Sequence, residues 1–379
     1  MRNRYSYTGT GRLVLCAVWF GIILQCVSQP ARAQTCITVR VMASNLTSGN
    51  NQRYETPGLN ILKGLKPDVV AMQEFNYSSA SQGLNTPAAF REMVDTTFGT
   101  NFVYYRESGY SIPNGIISRY PMLASGSWDS ADLPDRGYAW ARIDIPGTND
   151  LYVVSVHLKA SSGSAARRTA EVDEIKSLMG STFPSNAWVI IAGDMNISDE
   201  SEGAVTSFAS FMSDVPVPAD HNEDSDTNAG RAKRYDRVLL SYSMTNTLVP
   251  VVMPSRVYTN GLVFDSRVYT NLADVSPVVS GDSGAVNMQH MAVVRDLVVS
   301  MASTNAPALP PTLGGPLLVG GQFQLYLTGS TGLMYSVQAT TNLDGGPWVS
   351  LQTNAAPFTF IETNVNAFPC RYYRGLMVP

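Results

Sequence analysis

The chain has 379 residues, of which 44% are apolar and only 15% charged, enough for a sizeable core in more than one domain and too little charge for a coiled coil or a disordered tail protein. Arg2, Arg4, Arg12 and Arg32 fall in the first 33 residues, which hold no acid; the remainder carries 22 basic against 30 acidic residues, a balance of −8. No global basic field exists to grip nucleic acid indiscriminately, so a polyanion has to be held by a local patch or a metal ion. That argues against an architectural DNA binder but not against a nuclease.

Residues 1–33 read as a signal peptide. Arg2, Arg4 and Arg12 make a basic start, Leu13 to Val27 is an apolar stretch too short for a comfortable membrane span, and Ala31-Arg32-Ala33 is a small-x-small cleavage site. The expectation is a secreted, periplasmic or cell-surface protein with no stable membrane span after cleavage. Cys36 and Cys370 then remain. They suit either a disulfide tying the two ends or two free thiols, and sequence does not decide between them. No Cys/His cluster with zinc spacing exists.

From residue 36 to 301 strand-like and helix-like segments alternate, an α/β (α+β) pattern. Ile37 to Ala43 alternates as a strand, and Leu59, Leu62 and Leu65 have helical spacing that Lys66-Pro67-Asp68 stops. Val69 to Met72 is a continuous apolar run, the mark of a strand covered on both faces. Thr86-Pro87 caps and opens a helix with Phe90, Met93 and Val94 inward. Ile116-Ile117 begins a strand, and Leu151 to Val156 is another, ending at His157. Ser164 is read as the cap of a helix with Val172, Ile175 and Met179 on one face and Gly180 as its stop. Trp188 to Ala192 is a further buried strand. The six-residue sequence Ser255 to Asn260 recurs at Ser266 to Asn271, read as two strand edges of one hairpin-like excursion.

Residues 302–314, with Pro307, Pro310, Pro311 and Gly314, are read as a linker. In residues 315–379, short alternating runs at Phe323 to Leu327, Tyr335 to Ala339 and Phe358 to Ile361 predict a small all-β module. It resembles the fibronectin-like C-terminal modules of secreted bacterial proteins. It holds no histidine, so it is read as a folded spacer before a contact to a surface or polymer.

Polar residues cluster just past buried strands. Asn45 follows the first strand, Glu74 ends Ala-Met-Gln-Glu, His157 ends Val-Ser-Val-His, and Asp194 and Asn196 end Ile-Ala-Gly-Asp-Met-Asn. Tyr235-Asp236-Arg237-Val238 opens another strand, and Gln289-His290 precedes Met291-Ala292-Val293. In this order and spacing the five motifs resemble the endonuclease/exonuclease/phosphatase superfamily over nearly all of residues 37–299, most closely deoxyribonuclease I and bacterial sphingomyelinases. The resemblance implies a four-layer sandwich of two mixed β-sheets flanked by helices, with the all-β module appended. It also implies hydrolysis of a phosphate ester with Mg2+ or Mn2+.

Phosphodiester hydrolysis needs an activated water, counter-charge for the phosphorane and help for the leaving oxygen. On the family positions, Glu74 is a hard ligand for magnesium, with Asn45 and Asp194 beside it. His290 is the candidate general base, its ring held by Asp236. His157 is the candidate general acid or phosphate donor, and Asp194 shares the base role or binds a metal-held water. Asn196 orients phosphate oxygens or metal waters without repelling the substrate. Asn45, Asn114, Arg167 and Gln289 are candidate phosphate contacts, and Arg167-Arg168 reads equally as a solvated face. His221, in an Asn/Asp-rich loop, is expected to be merely exposed.

One position departs from the family, which usually has Asp where this chain has Gln289; Asp282 is a candidate substitute carboxylate. The leading expectation is a monomeric secreted phosphodiesterase acting on nucleic acid. A sphingomyelinase-like or sugar phosphoesterase stands second, and a pseudoenzyme that binds phosphorylated ligands third, with Gln289 as its evidence.

Overall fold

A computed structural model describes residues 36–300, 309–320, 322–330, 333–364, 367–368 and 370–378. The expected signal peptide and most of the expected linker lie outside them. In chain order the main elements are β1 Cys36–Ser44, α1 Thr56–Leu65, β2 Val69–Met72, α2 Pro87–Thr97, β3 Val103–Arg106, β4 Gly115–Ser118, β5 Met122–Asp129, β6 Gly137–Ile143 and β7 Leu151–His157. They continue with α3 Ala165–Thr182, β8 Trp188–Asp194, α4 Gly203–Ala209, β9 Met212–Ser213, β10 Asp236–Ser241, β11 Leu248–Val249, β12 Leu262–Phe264 and β13 Ala292–Ser300.

Two mixed sheets result. One has the order β11-β13-β1-β2-β4-β3 with β12 also on β13, and the other β9-β10-β8-β7-β6-β5. β1 runs parallel to β2 and β8 parallel to β7, whereas β13 and β10 join antiparallel. Strand alternation sorts the side chains. Val39, Val41 and Ala43 of β1 pack with Val153, Ile190 and Val238 in the layer between the sheets. Met42 faces the other way, into a second core with Ile61, Leu62 and Leu65 of α1 and Phe90, Met93 and Val94 of α2. Val154, Val156 and Ile191 meet Val172 and Ile175 of α3 and Phe208 of α4 in a third. Helix, sheet, sheet and helix form the four layers that the resemblance implied.

Local chemistry explains most boundaries. Thr86 caps α2 by accepting from the Ala89 amide at 3.0 Å, as its sequence predicts. Lys66, at φ 50°, closes α1 in the left-handed conformation. Two expectations fail on α3: Ser164 makes no side-chain cap, bonding Ser161 at 3.0 Å instead, and Gly180 does not end the helix. The Phe183 amide still reaches Met179 at 2.8 Å, so the helix runs on to Thr182. The repeated hexapeptide also divides. Its first copy forms the strand Arg256–Tyr258 against Val251–Met253. Its second is a turn, because the Asp265 carboxylate takes the Arg267 amide and guanidinium and the Asp265 carbonyl takes the amides of Val268 and Tyr269.

The C-terminal region forms two three-stranded antiparallel sheets. β14 Thr312–Val319, β15 Gln322–Thr328 and β18 Phe358–Glu362 make one; β17 Val349–Ala355, β16 Met334–Thr340 and β19 Tyr372–Met377 make the other. Leu325, Leu327, Tyr335, Val337 and Phe360 fill its core. Its first strand begins inside the stretch expected to be linker, since Pro310 and Pro311 precede the ladder rather than interrupt it.

Candidate active site

Sheet register places the site. Asp194 pairs laterally with His157 on one side and with Asp236 on the other, so three functional side chains stand in one row across the second sheet. On the first sheet, Asn45 and Glu74 follow the parallel strands β1 and β2, and His290 precedes the antiparallel β13. All six residues therefore reach the same edge of the sandwich. Gly193 is required there: it has φ 144°, and a Cβ would lie 2.1 Å from the Val156 carbonyl oxygen. Gln73 Nε2 donates to Ser155 Oγ at 2.8 Å, and Ser155 Oγ donates to the Met72 carbonyl at 2.8 Å, pinning the two sheets together beside the cluster.

Asp194 is the hub. Its Oδ2 lies 3.1 Å from Asn45 Nδ2, 3.3 Å from His157 Nε2 and 3.4 Å from His290 Nε2, and its Oδ1 accepts the Asn196 amide at 2.9 Å. His290 Nδ1 is 2.8 Å from Asp236 Oδ2. Glu74 accepts from Thr47 Oγ1 at 2.6 Å and from Gln52 Nε2 at 3.0 Å. Glu74 and Asn196 both adopt positive φ, 51° and 49°. Asn tolerates that region; for glutamate it is strain of the kind that accumulates at functional sites.

Burial and charge split the two histidines. Burial depresses the His157 ring well below its usual range, with the Arg136 and His290 charges adding to the effect. Burial acts on His290 in the same direction, but Asp236, Asp194 and Glu74 outweigh it and lift the ring to about 10. Asp194 is itself raised to about 6, chiefly by burial, with the His290 charge pulling it back. Burial also raises Glu74 against hydrogen bonds from Thr47 and Asn45. At neutral pH the resting cluster thus pairs a charged His290, a proton donor, with a neutral His157, a proton acceptor. From sequence, His290 is expected as the base and His157 as the acid or phosphate donor.

The donor set fits a divalent cation. Asp194, Asp236 and His290 each offer a ligand atom, all within 4.8 Å of one another. Asn45 Oδ1 and Asp236 Oδ1 are buried with no hydrogen-bond partner among the described residues, a costly state unless something else satisfies them. Carboxylate and amide oxygens suit magnesium or manganese. Geometry therefore adds Asp236 to Glu74, Asn45 and Asp194, the set expected from sequence, while His290, charged at neutral pH, stands beside them as a donor.

Other expected contacts fall elsewhere. Asn196 Nδ2 donates to the Leu158 carbonyl at 3.0 Å. Asn114 is fully buried, and its Nδ2 donates to the Gly137 carbonyl at 2.7 Å, bracing β4 against β6. Arg167 is exposed and donates to the Asp132 carbonyl at 2.9 Å. Arg168 is neither a solvated face nor a phosphate patch: it is fully buried and bidentate to Glu202 at 2.8 and 2.7 Å. The Gln289 side chain is exposed. Asp282 is not its substitute, since its carboxylate accepts from Asn60 and the Val279 amide. His221 is half-buried, 3.5 Å from Thr270. Arg136 escaped the sequence reading: it is 5% exposed, has an unpartnered Nη1, and its charge acts on His157. No local signal separates it from any other loop arginine.

A sequence profile of the Endonuclease/Exonuclease/phosphatase family matches residues 59–276, more than half of the chain. No curated protein is similar enough to match. Among solved structures, an endonuclease/exonuclease/phosphatase from Beutenbergia cavernae DSM 12333 is similar at 16% identity, covering 90% of this chain and 92% of that one, with a TM-score of 0.48. TDP2 from D. rerio, complexed with single strand DNA product, is similar at 17% identity over 69% of this chain and 98% of that one, TM-score 0.45. The human Nocturnin catalytic domain with bound sulfate anion is similar at 14% identity over 69% and 96%, TM-score 0.44. The profile match takes in Glu74, His157, Asp194 and Asp236, while Asn45 and His290 lie outside it and complete the same cluster; the chain belongs to the endonuclease/exonuclease/phosphatase family.

Proposed function

We propose that this protein is a phosphodiesterase that uses Mg2+ or Mn2+, cleaves nucleic acid and works as a monomer outside the cytoplasm once its signal peptide is removed. The observation that carries the chemistry is Asp194 Oδ2, flanked by His157 at 3.3 Å and His290 at 3.4 Å, two rings that burial on one side and carboxylate charge on the other bias to opposite protonation states. Glu74, Asn45, Asp194 and the free oxygen of Asp236 would hold the cation. Bound there, it would neutralise charge on the phosphoryl group and lower the pKa of a water. His157 supplies the neutral nitrogen that takes the proton from the attacking water. His290, kept charged by Asp236, supplies the proton to the departing oxygen. Asp194 holds both rings in place, Asn45 orients oxygens without adding repulsive charge, and the Asn196 backbone amide steadies the Asp194 carboxylate.

A second reading, a small phosphodiester such as a lipid or sugar headgroup, is favoured by the cleft next to the cluster. This cleft of about 510 Å³ is lined by Ile197 and Arg234, close in sequence to Asn196 and Asp236, and by Asp199, Glu200 and Asp226. Its two cations are already engaged, Lys233 with the Ser198 carbonyl at 2.7 Å and Arg234 with Asp214 at 2.9 Å. An acidic wall disfavours an extended polyanion. Turnover of bis-p-nitrophenyl phosphate, plasmid DNA, RNA and sphingomyelin, with magnesium or manganese and then with excess chelator, tests both readings. Cleavage of DNA or RNA that chelation abolishes is the expected result. Cleavage of sphingomyelin alone would replace the first reading with the second, and full activity in chelator would overturn the metal.

A further inference from the structure

The segment between β9 and β10 is long and acidic, with Asp220, Glu223, Asp224 and Asp226, and it folds around a cation of its own. Arg231, its side chain 14% exposed, places Nη2 at 2.8 Å from Asp220 Oδ2 and 3.0 Å from Asp224 Oδ2, and Nη1 at 3.4 Å from Asp265 Oδ2. Asp220 and Asp265 are buried, so losing the guanidinium would strand their carboxylates in a poorly solvated place. Asp265 directly follows β12, which pairs with the start of β13, two residues after His290. Arg231 thus fastens the loop to the strand pair that carries the histidine.

One hydrogen bond joins the fastened loop to Asp236, two join it to the residues on either side of His290, and a fourth ties it to Arg267. Thr227 Oγ1 accepts the Asp236 amide at 2.8 Å, and the Thr227 carbonyl accepts the Met291 amide at 2.6 Å. The Gln289 carbonyl accepts from the Ala229 amide at 2.7 Å, and Arg267, bidentate to Asp265, donates to the Ala229 carbonyl at 3.2 Å. One fully buried threonine therefore touches both Asp236 and the residue after His290. The spacing of that pair depends on where the loop is held.

We infer that Arg231 is a positioning residue for the Asp236–His290 pair, an internal cation that fixes the loop whose Thr227 sets the two residues in register. This rests on the phosphodiesterase reading for its kinetic consequence, but not for its structural one. A displacement of about 1 Å at a catalytic group costs about a hundredfold in rate, so Arg231→Ala is expected to lower kcat on bis-p-nitrophenyl phosphate by about 10- to 100-fold with KM within about threefold. Arg231→Lys retains an intermediate rate, and millimolar guanidinium, but not urea, recovers part of the loss in Arg231→Ala. Amide exchange in the intact protein supplies the independent readout: the Asp236 and Met291 amides exchange faster in Arg231→Ala while those of β1 stay protected. Unchanged exchange at both amides, or an unchanged kcat, in a folded Arg231→Ala protein overturns the proposal. If that variant does not fold, Thr227→Val, which deletes only the acceptor for the Asp236 amide, decides in its place by the same two readouts. A wild-type protein inactive on every phosphate ester would overturn the phosphodiesterase reading alone and leave the exchange result to judge the clamp.

Discussion

Asp236→Asn isolates the charge that holds His290 protonated. The asparagine keeps the shape and can still accept from Nδ1, but it removes the strongest opponent of the burial that would otherwise depress the ring. His290 stands at about 10 against an ordinary 6.5, a raised pKa, so its stabilising contribution is complete below the unfolded value and lost as pH climbs through the folded one. With those two values the contribution is about 4 kcal/mol near pH 6.5 and about 1 kcal/mol near pH 9.5. Urea unfolding of the chelated protein at both pH values should therefore show wild type losing more stability than Asp236→Asn across this window, up to about 3 kcal/mol, since Asp194 and Glu74 still raise the ring in the variant. Parallel stability profiles for the two would refute the assignment of a charged, Asp236-held His290.

The same reasoning reaches four further positions. His157→Ala and Asp194→Ala should each lower kcat by at least about a hundredfold, the loss expected when a proton-transfer group or its holder is removed; normal turnover would take that residue out of the mechanism. Glu171, raised to about 7 mainly by burial, opposes folding increasingly from its unfolded value up to that pH and fully above it, so Glu171→Gln should stabilise the protein at pH 8 by about 1–3 kcal/mol and leave stability at pH 4 little changed. Chemical denaturation at the two pH values checks it, and equal effects at both would refute it. Gln289→Asp, on an exposed side chain, should leave the magnesium concentration for half-maximal rate within about twofold, because surface charges are well screened; a marked fall would show that this side chain reaches the site.

The features legible in the sequence are those written by local rules. Val69 to Met72 and Leu151 to Val156 read as doubly covered strands because a strand packed on both faces has no polar alternation to show. Thr86 read as a cap because Pro87 follows it. What escaped depends on partners distant in sequence. The second copy of the repeated hexapeptide carries the same strand propensity as the first, but the aspartate immediately before it bonds back and makes a turn. Arg168 resembles its neighbour Arg167 in every local respect, yet Glu202, 34 residues on, draws it into the interior. The opposite bias of His157 and His290 follows from the burial and cationic neighbours the fold gives the first and the carboxylates it gives the second, information that no residue spacing contains.

The convergence of the cluster is a consequence of strand direction. Parallel neighbours β1 and β2, and likewise β7 and β8, deliver the residues at or just after their C-terminal ends to one edge, which accounts for Asn45, Glu74, His157 and Asp194. An antiparallel neighbour meets that edge at its beginning, which accounts for Asp236 at the first position of β10 and for His290 just before β13. The same geometry accounts for Gln289. In an extended approach to a strand, adjacent side chains point to opposite sides, so with His290 buried against Asp236 and Asp194 the preceding side chain faces solvent. An aspartate at that position would therefore enter the site only if the backbone took another path. The buried carboxylates of Glu74, Asp194 and Asp236 already supply the negative charge that a cation and a protonated ring require.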